Sequence, residues 1–225
     1  MKLSNDTRVV LGNFATINKG IKVNPGNKLN TVSMNKTILG KAEVAEIFDH
    51  GFCIYDLPEF LSALSMFGDP ELTFDDEFVT IQEGNTKLRY TYADENVIIV
   101  APDKEITCNK DIVFPFSADI LERVSKGSAI LDLPNLVFER SEDSGIRVLA
   151  TDVKDNSSNE VKIEISPDDC DVIPDNAFKM VFKFENLRLL SRDYTVTIDK
   201  AGIAHFVSPD LEYFIAVEQN ESTFN

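Results

Sequence analysis

The chain has 225 residues, which is enough for one or two domains with a substantial buried core. It carries 22 Lys and Arg residues against 38 Asp and Glu residues, which gives a net charge of −16. This acidity argues against a protein that coats DNA or an anionic membrane with its outer surface. Glycine and proline are too few for a disordered or collagen-like chain, so a globular protein is predicted.

No segment of the sequence indicates a membrane or a secretory route. The first residues are polar, and the longest apolar run, 97–101, is far shorter than the roughly 20 residues that a bilayer span needs. The cysteines, Cys53, Cys108 and Cys170, are odd in number and lack metal-binding spacing. We therefore expect free thiols inside a cell, no bound metal and no membrane association.

The sequence contains no recognisable catalytic motif. His50 and His205 have no Cys or His at ligand spacing, and there is no phosphate-binding loop or nucleophile motif. The carboxylate pairs at 75–76 and 168–169 lie in polar surroundings, whereas a catalytic carboxylate usually needs an apolar pocket to shift its pKa. The sequence predicts a non-enzymatic protein without a cofactor, and an enzyme with a dispersed active site is the least favoured alternative.

The first half of the chain shows two helical segments, each followed by strand-like runs. Residues 4–18 form a predicted helix with Ser4 as its N-cap and apolar residues at spacings of three and four. A second helix is predicted over 57–67, with Pro58 in its first turn. The predicted strands of this half cover 28–34, 37–46, 52–56, 71–75, 77–83 and 86–93.

The pattern restarts after a stretch of different character. Residues 96–115 contain two prolines, interspersed charges and no helical period, which indicates an extended connector. Beyond it, helices are predicted over 117–126 and 185–191. The predicted strands of this half cover 129–133, 135–140, 145–152, 160–166, 193–199, 202–208 and 211–218. The sequence thus predicts an α+β fold of two similar domains, 1–95 and 116–225, each with two short helices and antiparallel sheets.

Positive charge recurs on three of these four helices, although the chain is acid-rich elsewhere. The residues concerned are Arg8 and Lys19 on the first helix, Arg123 and Lys126 on the third, and Lys183, Arg188 and Arg192 at the fourth. Basic faces without base-reading motifs or stacking aromatics suit DNA phosphates rather than a base sequence. The alternative is that these are ordinary solvated helix faces, which is the simpler interpretation for any one helix alone.

Several segments resemble one protein family. They are Met1-Lys2-Leu3-Ser4, Asn13-Phe14-Ala15-Thr16-Ile17-Asn18 with Gly20-Ile21, Ile54-Tyr55-Asp56-Leu57, Val100-Ala101-Pro102 with Lys104 and Ile106, and Arg123-Val124-Ser125-Lys126-Gly127. In these segments the chain resembles the sliding clamps of T-even-type bacteriophages, the processivity factors of their DNA polymerases. The first 20 residues carry most of the resemblance, and the second half matches mainly through its order of elements.

The resemblance implies the DNA-clamp fold: a homotrimeric ring with two domains per subunit, closed around duplex DNA. It implies that the clamp tethers the phage DNA polymerase, that an ATP-driven clamp loader opens and closes the ring, and that the loaded clamp also activates late transcription. It implies no enzymatic activity, no cofactor, and a place in the cytoplasm of the infected bacterial host. Without the resemblance, a β-rich structural or interaction protein of a virion would be the leading hypothesis.

The resemblance also implies roles for particular residues. The helices would line the hole of the ring, so the seven basic residues named above would face DNA. Partner peptides would dock in an apolar pocket beside the connector, although core or connector packing explains each candidate residue equally well. The candidate pocket residues are Ile99, Val100, Ile106, Phe206 and Phe214. The candidate subunit-interface residues, on the strand 86–93, are Leu88, Tyr90 and Tyr92.

Overall fold

The computed structural model describes residues 1–102, 105–140 and 145–224. The chain forms two compact units, 1–104 and 105–225, here called the N-terminal unit and the C-terminal unit. Residues 103 and 104, which belong to the predicted connector and include Lys104 of the resemblance, lie outside the described residues. No helix in the described ranges is long and apolar enough to cross a membrane.

The N-terminal unit consists of two helices and two antiparallel sheets in its described part. Its elements are α1 (Asn5–Ile17), β1 (Ile21–Val23), β2 (Gly26–Val32), β3 (Ile38–Phe48), β4 (Phe52–Ile54), α2 (Leu57–Leu64), β5 (Glu71–Phe74), β6 (Phe78–Glu83), β7 (Thr86–Thr91) and a 3₁₀ helix at Glu95–Val97. The strand orders are β4-β1-β2-β3 and β5-β6-β7. α1 packs on α2, β2 and β3. Both helices predicted for this half are confirmed, although α2 ends three residues early.

Hydrogen bonds at both ends fix α1. Ser4 is the N-cap, as predicted, and its Oγ accepts the Thr7 amide at 3.2 Å. The buried carboxylate of Glu46 on β3 accepts hydrogen bonds from the Ser4 amide and the Thr7 hydroxyl. Burial alone would raise the pKa of Glu46, but these hydrogen bonds outweigh it and lower the pKa below its ordinary value. Beyond the last turn, the Asn18 side-chain amide donates to two backbone carbonyls at 3.0 Å each.

The C-terminal unit carries one α-helix and two antiparallel sheets in its described part. Its elements are β8 (Ile112–Phe116), α3 (Ala118–Leu131), β9 (Asn135–Arg140), β10 (Ile146–Thr151), β11 (Val161–Ile165), β12 (Phe178–Lys183), β13 (Tyr194–Asp199), β14 (Ile203–Ser208), β15 (Leu211–Ala216) and β16 (Thr223–Phe224), with 3₁₀ helices at Pro167–Asp169 and Phe184–Asn186. Within this unit the strand orders are β15-β14-β13-β8 and β11-β10-β9-β12-β16. α3 packs on β10 and β11.

An aromatic cluster forms the core of the C-terminal unit. The Phe138 ring meets the rings of Phe114, Phe116 and Phe182 edge-on at centroid distances of 5.0, 5.4 and 5.6 Å. Phe206, which the sequence places among the candidate peptide-pocket residues, packs in this cluster with no exposed surface. Its assignment to a peptide-contacting surface is wrong, because alternate residues of β14 face opposite sides and Phe206 lies on the core side.

α3 continues to Leu131, so the strand predicted over 129–133 is wrong. The predicted helix stops at Lys126, immediately before Gly127, but Gly127 lies within α3. A Cβ on Gly127 would overlap Cγ2 of Val161 on β11. The glycine is therefore required by close packing and does not end the helix. The helix ends at Asp132, whose left-handed backbone (φ 53°) forms the C-cap.

The prediction of a fourth helix over 185–191 is also wrong. After one 3₁₀ turn the chain is irregular up to β13, and residues 184–193 are here called the strap. Arg188 Nε donates at 3.0 Å to the Glu185 carbonyl, which a helix would use for its own hydrogen bonds, and the Tyr194 hydroxyl donates at 2.7 Å to the Leu190 carbonyl. A run of seven residues is moreover too short to repay the cost of helix nucleation without packing. The prediction of two helices per domain therefore fails in the C-terminal unit.

The sequence predicts no strand at β1, β8, β12 or β16. Residues 112–115, which the sequence assigns to the connector, belong to β8. Pro115 is tolerated there because β8 lies at the edge of its sheet, next to β13. β12 lacks a clean alternation because both of its faces are covered: Phe182 lies in the aromatic core, and Val181 packs with Val137 and Leu149 on the opposite face.

Candidate nucleic-acid interface

The basic residues predicted on α1 lie at the border of its exposed face. Arg8 is half-buried, and its Nε is buried without a hydrogen-bond partner among the described residues. Lys19 is exposed and lies just beyond the C-cap, where it forms no ion pair with the described part of the chain. The exposed positions of the helix carry no base: Asn5, Val9 and Thr16 are uncharged, Asp6 is acidic, and Val9 is 44% exposed. α1 thus exposes no base on the helix itself, and its two bases lie at the borders of the exposed face.

The corresponding surface of α3 is charged. Arg123 and Lys126 are both exposed on the same side of the helix, as predicted. Arg123 Nε lies 2.9 Å from the Asp119 carboxylate one turn earlier, and both side chains are about two-thirds exposed. An ion pair so open to solvent contributes little, so the guanidinium can exchange its carboxylate for a phosphate at small cost. Lys126 forms no ion pair within the described ranges.

The strap runs antiparallel to α3 and brings a third base to this surface. The Phe184 amide donates to the Pro134 carbonyl at 2.9 Å, beyond the C-terminal end of α3. Ser191 hydrogen-bonds Glu122 near the middle of the helix, and Asp193 accepts the Ala118 amide at 2.8 Å in its first turn. These three contacts align the strap with the helix. Its exposed residue Arg188 therefore lies beside α3, between the first two contacts.

The two remaining basic candidates are ion-paired within the C-terminal unit. Lys183 Nζ lies 3.3 Å from the Glu218 carboxylate. Arg192 pairs with Asp210, and only 26% of the Arg192 side chain is exposed. The sequence predicts these bases but not their partners, which lie 35 and 18 residues away along the chain. Lys183 and Arg192 therefore add less positive charge to the surface than Lys126.

The four other apolar candidates for a peptide site occupy different settings. In the N-terminal unit, Ile99 is 38% exposed and Val100 is half-buried. In the C-terminal unit, Ile106 is half-buried. Phe214 is nearly buried, and its ring stacks on the His205 ring at 4.0 Å with an interplanar angle of 8°. Three of the four thus present some apolar surface to solvent, and Phe214 presents very little.

The candidate subunit-interface residues lie on or next to β7, which has one free edge in the described structure. In the described structure β7 pairs only with β6, so its other edge has no strand partner. Leu88 and Tyr90 are half-buried on one face of β7, and the Tyr90 hydroxyl donates to the Asp56 carbonyl at 3.2 Å. Burial raises the pKa of Tyr90 to about 12. Tyr92, just beyond the strand, stacks on Phe52 at 5.0 Å.

The sequence reasoning does not name a second free edge, that of β11 in the C-terminal unit. In the described structure β11 pairs only with β10. Val161, Ile163 and Ile165 alternate with Lys162 and Glu164 along it. This alternation is visible in the sequence and is typical of a strand with one apolar face.

Comparison with known proteins decides the family. Residues 4–100 match the family model "DNA polymerase processivity factor", and residues 113–219 match "gp45 sliding clamp, C terminal". The sliding clamp of Vibrio phage KVP40 is 37% identical over 97% of this chain and 99% of its own length. The chain belongs to the bacteriophage sliding-clamp family. The sliding clamp of Enterobacteria phage T4 is 28% identical over 99% of both chains. The predicted resemblance and function, a sliding clamp that serves as a DNA polymerase processivity factor, are confirmed.

Solved structures with low sequence identity share the fold of this clamp. The A. fulgidus PCNA with the C-terminal region of FEN-1 bound aligns with a TM-score of 0.71 at 12% identity, covering 94% of each chain. The Helicobacter pylori beta clamp bound to a DNA ligase peptide aligns with a TM-score of 0.66 at 12% identity, covering 96% of this chain and 65% of that one. The predicted α+β DNA-clamp fold is thereby confirmed, apart from the missing fourth helix. The role of the family is non-catalytic, and the virion-component alternative is displaced.

Proposed function

We propose that this clamp encircles duplex DNA as a closed ring of three identical subunits and tethers the phage DNA polymerase to its template. An ATP-driven clamp loader opens and closes the ring, and the loaded ring also activates late transcription. The protein acts in the cytoplasm of the infected bacterium, without enzymatic activity and without a cofactor. The observation that carries the proposal is the group of exposed bases on α3 and the strap of a chain whose net charge is −16.

Arg123, Lys126 and Arg188 form the principal DNA-facing group in this proposal. They attract phosphates over a distance and contact them transiently, which permits sliding along any sequence. Arg8 and Lys19 contribute from the borders of α1. Lys183 and Arg192 complete the set, but they must exchange Glu218 and Asp210 for phosphate before they can contribute.

The acidity of the chain is compatible with this arrangement. Three subunits carry three times −16, or −48, which would strongly repel DNA from an outer surface. Exposed charges are screened beyond roughly 8 to 10 Å at physiological salt, so the location of the charges matters more than their sum. Bases that line the hole can therefore attract the duplex while the acidic exterior repels other DNA.

The polymerase and other partners reach the clamp through peptides. The A. fulgidus and Helicobacter pylori clamps carry a FEN-1 segment and a DNA ligase peptide, respectively, which supports a peptide-binding role for this chain. Such peptides contact Ile99 and Val100 in the N-terminal unit and Ile106 and Phe214 in the C-terminal unit. The single most exposed of these, Ile99, is the best anchor for an apolar peptide side chain.

The domain organisation is part of the same proposal. The domains are 1–95 and 116–225, joined by a connector within 96–115 whose last four residues fold as part of β8. Subunits join head to tail, because a closed ring of three requires a heterologous interface. The free edge of β7, with Leu88, Tyr90 and Tyr92, meets an edge of the second domain of the next subunit.

The decisive experiment is retention on DNA of defined topology. The clamp is loaded on nicked circular DNA with its loader and ATP, and the free protein is removed by gel filtration at moderate salt. Retention on circles that is lost when a restriction enzyme linearises the DNA is the expected result. Equal retention on circular and linear DNA would contradict encirclement, because a surface-bound protein is indifferent to topology.

A further inference from the structure

A cavity of about 500 Å³ lies at the C-terminal end of α3, within the C-terminal unit. Its walls come from the last turn of α3, the beginning of β9, the loop after β10 and the beginning of the strap. Clefts of this volume are typical of sites that bind a small ligand or a few side chains of a partner. Among the described residues that are candidates for DNA or connector-peptide contacts, Lys183 alone lines this cavity.

One buried polar group in the wall of the cavity has an unused hydrogen-bond donor. Asn135 is only 5% exposed, and its Oδ1 accepts the Val153 amide at 3.2 Å. Because a backbone amide can only donate, this contact fixes which end of the Asn135 side chain is the oxygen. Its Nδ2 donates no hydrogen bond to the part of the chain that the structure describes. A buried donor without a partner is unfavourable, so a ligand that supplies an acceptor would be stabilised here.

Acidic side chains outnumber basic ones in the walls of the cavity. The charged lining residues are Asp132, Asp152, Glu185 and Glu221 and the bases Lys154 and Lys183. Both lysines already have carboxylate partners: Lys154 Nζ lies 3.1 Å from Glu221, and Lys183 Nζ lies 3.3 Å from Glu218. The bases of the wall are therefore neutralised, and the cavity keeps an excess of negative charge.

The end of α3 adds to this negative charge. Asp132 and Glu185 are exposed and form no ion pair within the described ranges. The last carbonyls of a helix lack partners inside the helix and form the negative end of its dipole. The last turn of α3 contains no base that would compensate them. A positively charged group is therefore the favoured occupant of this end of the cavity.

The remaining wall of the cavity is apolar. Pro134 is exposed and Phe184 is half-buried, and the backbone hydrogen bond between them holds them side by side at 2.9 Å. The last turn of α3 exposes two further large apolar side chains, Ile130 at 69% and Leu131 at 40%. Apolar surface of this kind is stabilised when a partner's side chain removes it from water.

We propose that this cavity binds a segment of a partner protein in which a basic residue adjoins a large apolar residue. The basic side chain pairs with Asp132 and Glu185, a backbone carbonyl of the segment accepts from Asn135 Nδ2, and the apolar side chain packs on Phe184. A peptide supplies all three groups within two residues, whereas a nucleic-acid backbone would bring phosphates to an excess of acids.

This second docking site is separate from the connector residues Ile99, Val100, Ile106 and Phe214, none of which lines the cavity. The inference rests on the proposed function only in treating the clamp as a platform for protein partners. It requires neither a closed ring nor DNA.

Binding of short labelled peptides to the full chain tests the proposal. The probes are four fluorescein-labelled hexapeptides of Gly and Ser that differ only in their central pair, which is Arg-Leu, Gln-Leu, Glu-Leu or Arg-Ser. Fluorescence anisotropy at low salt follows their binding. We expect the Arg-Leu peptide to bind with a Kd below about 1 mM. The Gln-Leu and Arg-Ser peptides should bind at least about fivefold more weakly, and the Glu-Leu peptide most weakly of all.

Removal of the two exposed acids tests the charge of the cavity. Asp132→Asn keeps a residue that tolerates the left-handed backbone of the C-cap, and Glu185→Gln keeps the size of the side chain. The double variant should weaken binding of the Arg-Leu peptide about tenfold and change that of the Gln-Leu peptide much less. Asp168→Asn/Asp169→Asn removes two exposed charges from the same unit outside the cavity. This control should stay within about twofold, because such charges are screened.

Filling the cavity tests its volume without changing its charge. Ala129 is exposed and lines the cavity, so Ala129→Trp places an indole there without disturbing the core. We expect at least about tenfold weaker binding of the Arg-Leu peptide. Ala201→Trp, on an exposed turn of the same unit that does not line the cavity, is the matched control and should leave binding unchanged. Circular dichroism verifies that each variant is folded.

Four results would overturn the proposal. They are no binding of the Arg-Leu peptide up to about 1 mM, tighter binding of the Glu-Leu peptide, and Arg-Leu binding that neither the double variant nor Ala129→Trp weakens. The fourth is a short duplex that competes with the Arg-Leu peptide and binds Lys154→Gln more weakly, which would assign the cavity to DNA. Because the peptide assay contains no DNA circles and no loader, its failure leaves the test of the ring on circular and linear DNA unaffected.

Discussion

α1 and α3 are the longest helices of the two units, yet they present different surfaces. The exposed centre of α1 is uncharged, and Arg8 and Lys19 lie at its borders. α3 exposes Arg123 and Lys126, and the strap adds Arg188 beside them. Three of the four exposed candidate bases therefore lie in the C-terminal unit. The sequence assigns two candidate bases to each of these helices, but the two helices expose them to different extents.

The helices also differ in the hydrogen bonds at their first turns. At α1 the buried carboxylate of Glu46 on a neighbouring strand accepts hydrogen bonds from Ser4 and Thr7. At α3 the exposed carboxylate of Asp193 in the strap accepts the Ala118 amide. A buried hydrogen-bonded charge costs more to remove than an exposed one, because its former partners are left unsatisfied away from water. The N-terminal unit should therefore be the more sensitive of the two to loss of its capping carboxylate.

Removal of these carboxylates should give the largest effects. Glu46→Ala leaves the Ser4 amide and the Thr7 hydroxyl without their acceptor, and we expect it to lower the free energy of unfolding by about 2 to 3 kcal/mol. Asp193→Ala, the matched change at α3, should cost about 1 kcal/mol or less, because water replaces the exposed cap. Urea unfolding of the full chain followed by circular dichroism measures both. Equal losses would contradict the difference in burial.

The helix glycines should respond in opposite directions. At Gly127, a new methyl group would overlap Val161, whose branched side chain is stiff, so Gly127→Ala should destabilise by about 1 kcal/mol or more. Gly12 of α1 has no atom within 4 Å of a new Cβ, so Gly12→Ala should stabilise by about 0.5 to 1 kcal/mol through helix propensity. Urea midpoints of the two variants measured side by side check the signs. Stabilisation by both would show that α3 does not pack closely on β11.

Acid should remove part of the stabilisation that Glu46 provides. Its folded pKa is lowered below the ordinary value of 4.5, so its contribution is present above that value and is lost as the pH falls through the folded pKa. Glu46→Gln removes the titrating charge but keeps an acceptor. We expect the stability difference between the unmodified chain and Glu46→Gln to shrink between pH 7 and pH 3 in urea unfolding. A difference that is constant over this range would contradict the lowered pKa.

Local signals suffice for most of the N-terminal unit. The Ser4 cap and Pro58 mark the beginnings of both helices, and both are where the sequence predicts them. The errors of the C-terminal unit arise from contacts distant in sequence. In the sequence alone Gly127 indicates the end of a helix, because the packing against Val161 that explains the glycine is not visible in the local pattern. The strap has a helical pattern but is held by contacts to α3 that no local pattern contains.

The basic residues of the candidate site are likewise predictable, but their availability is not. The exposure of Lys126 agrees with the helical spacing of α3. The exposure of Arg188 agrees with the excess of bases over residues 183–192. The partners of Lys183 and Arg192 lie on other segments, 35 and 18 residues further along the chain. Phe206 and Phe214 are both aromatic and lie on adjacent strands, yet only the strand face decides that Phe206 belongs to the core. Such information arises only when the strands are placed in register.

The salt dependence of DNA affinity tests most directly whether α3 and the strap are the principal DNA-facing surface. Lys126→Ala/Arg188→Ala and the matched Arg8→Ala/Lys19→Ala are each titrated with a short linear duplex, which a closed ring can enter and leave over the ends. The equilibrium affinity is measured over a range of salt concentrations. Each lost phosphate contact lowers the slope of log affinity against log salt by about 0.9. We predict a decrease of up to about 2 for the first variant and less than about 1 for the second. An equal decrease for both, or a larger one for the α1 variant, would contradict the account.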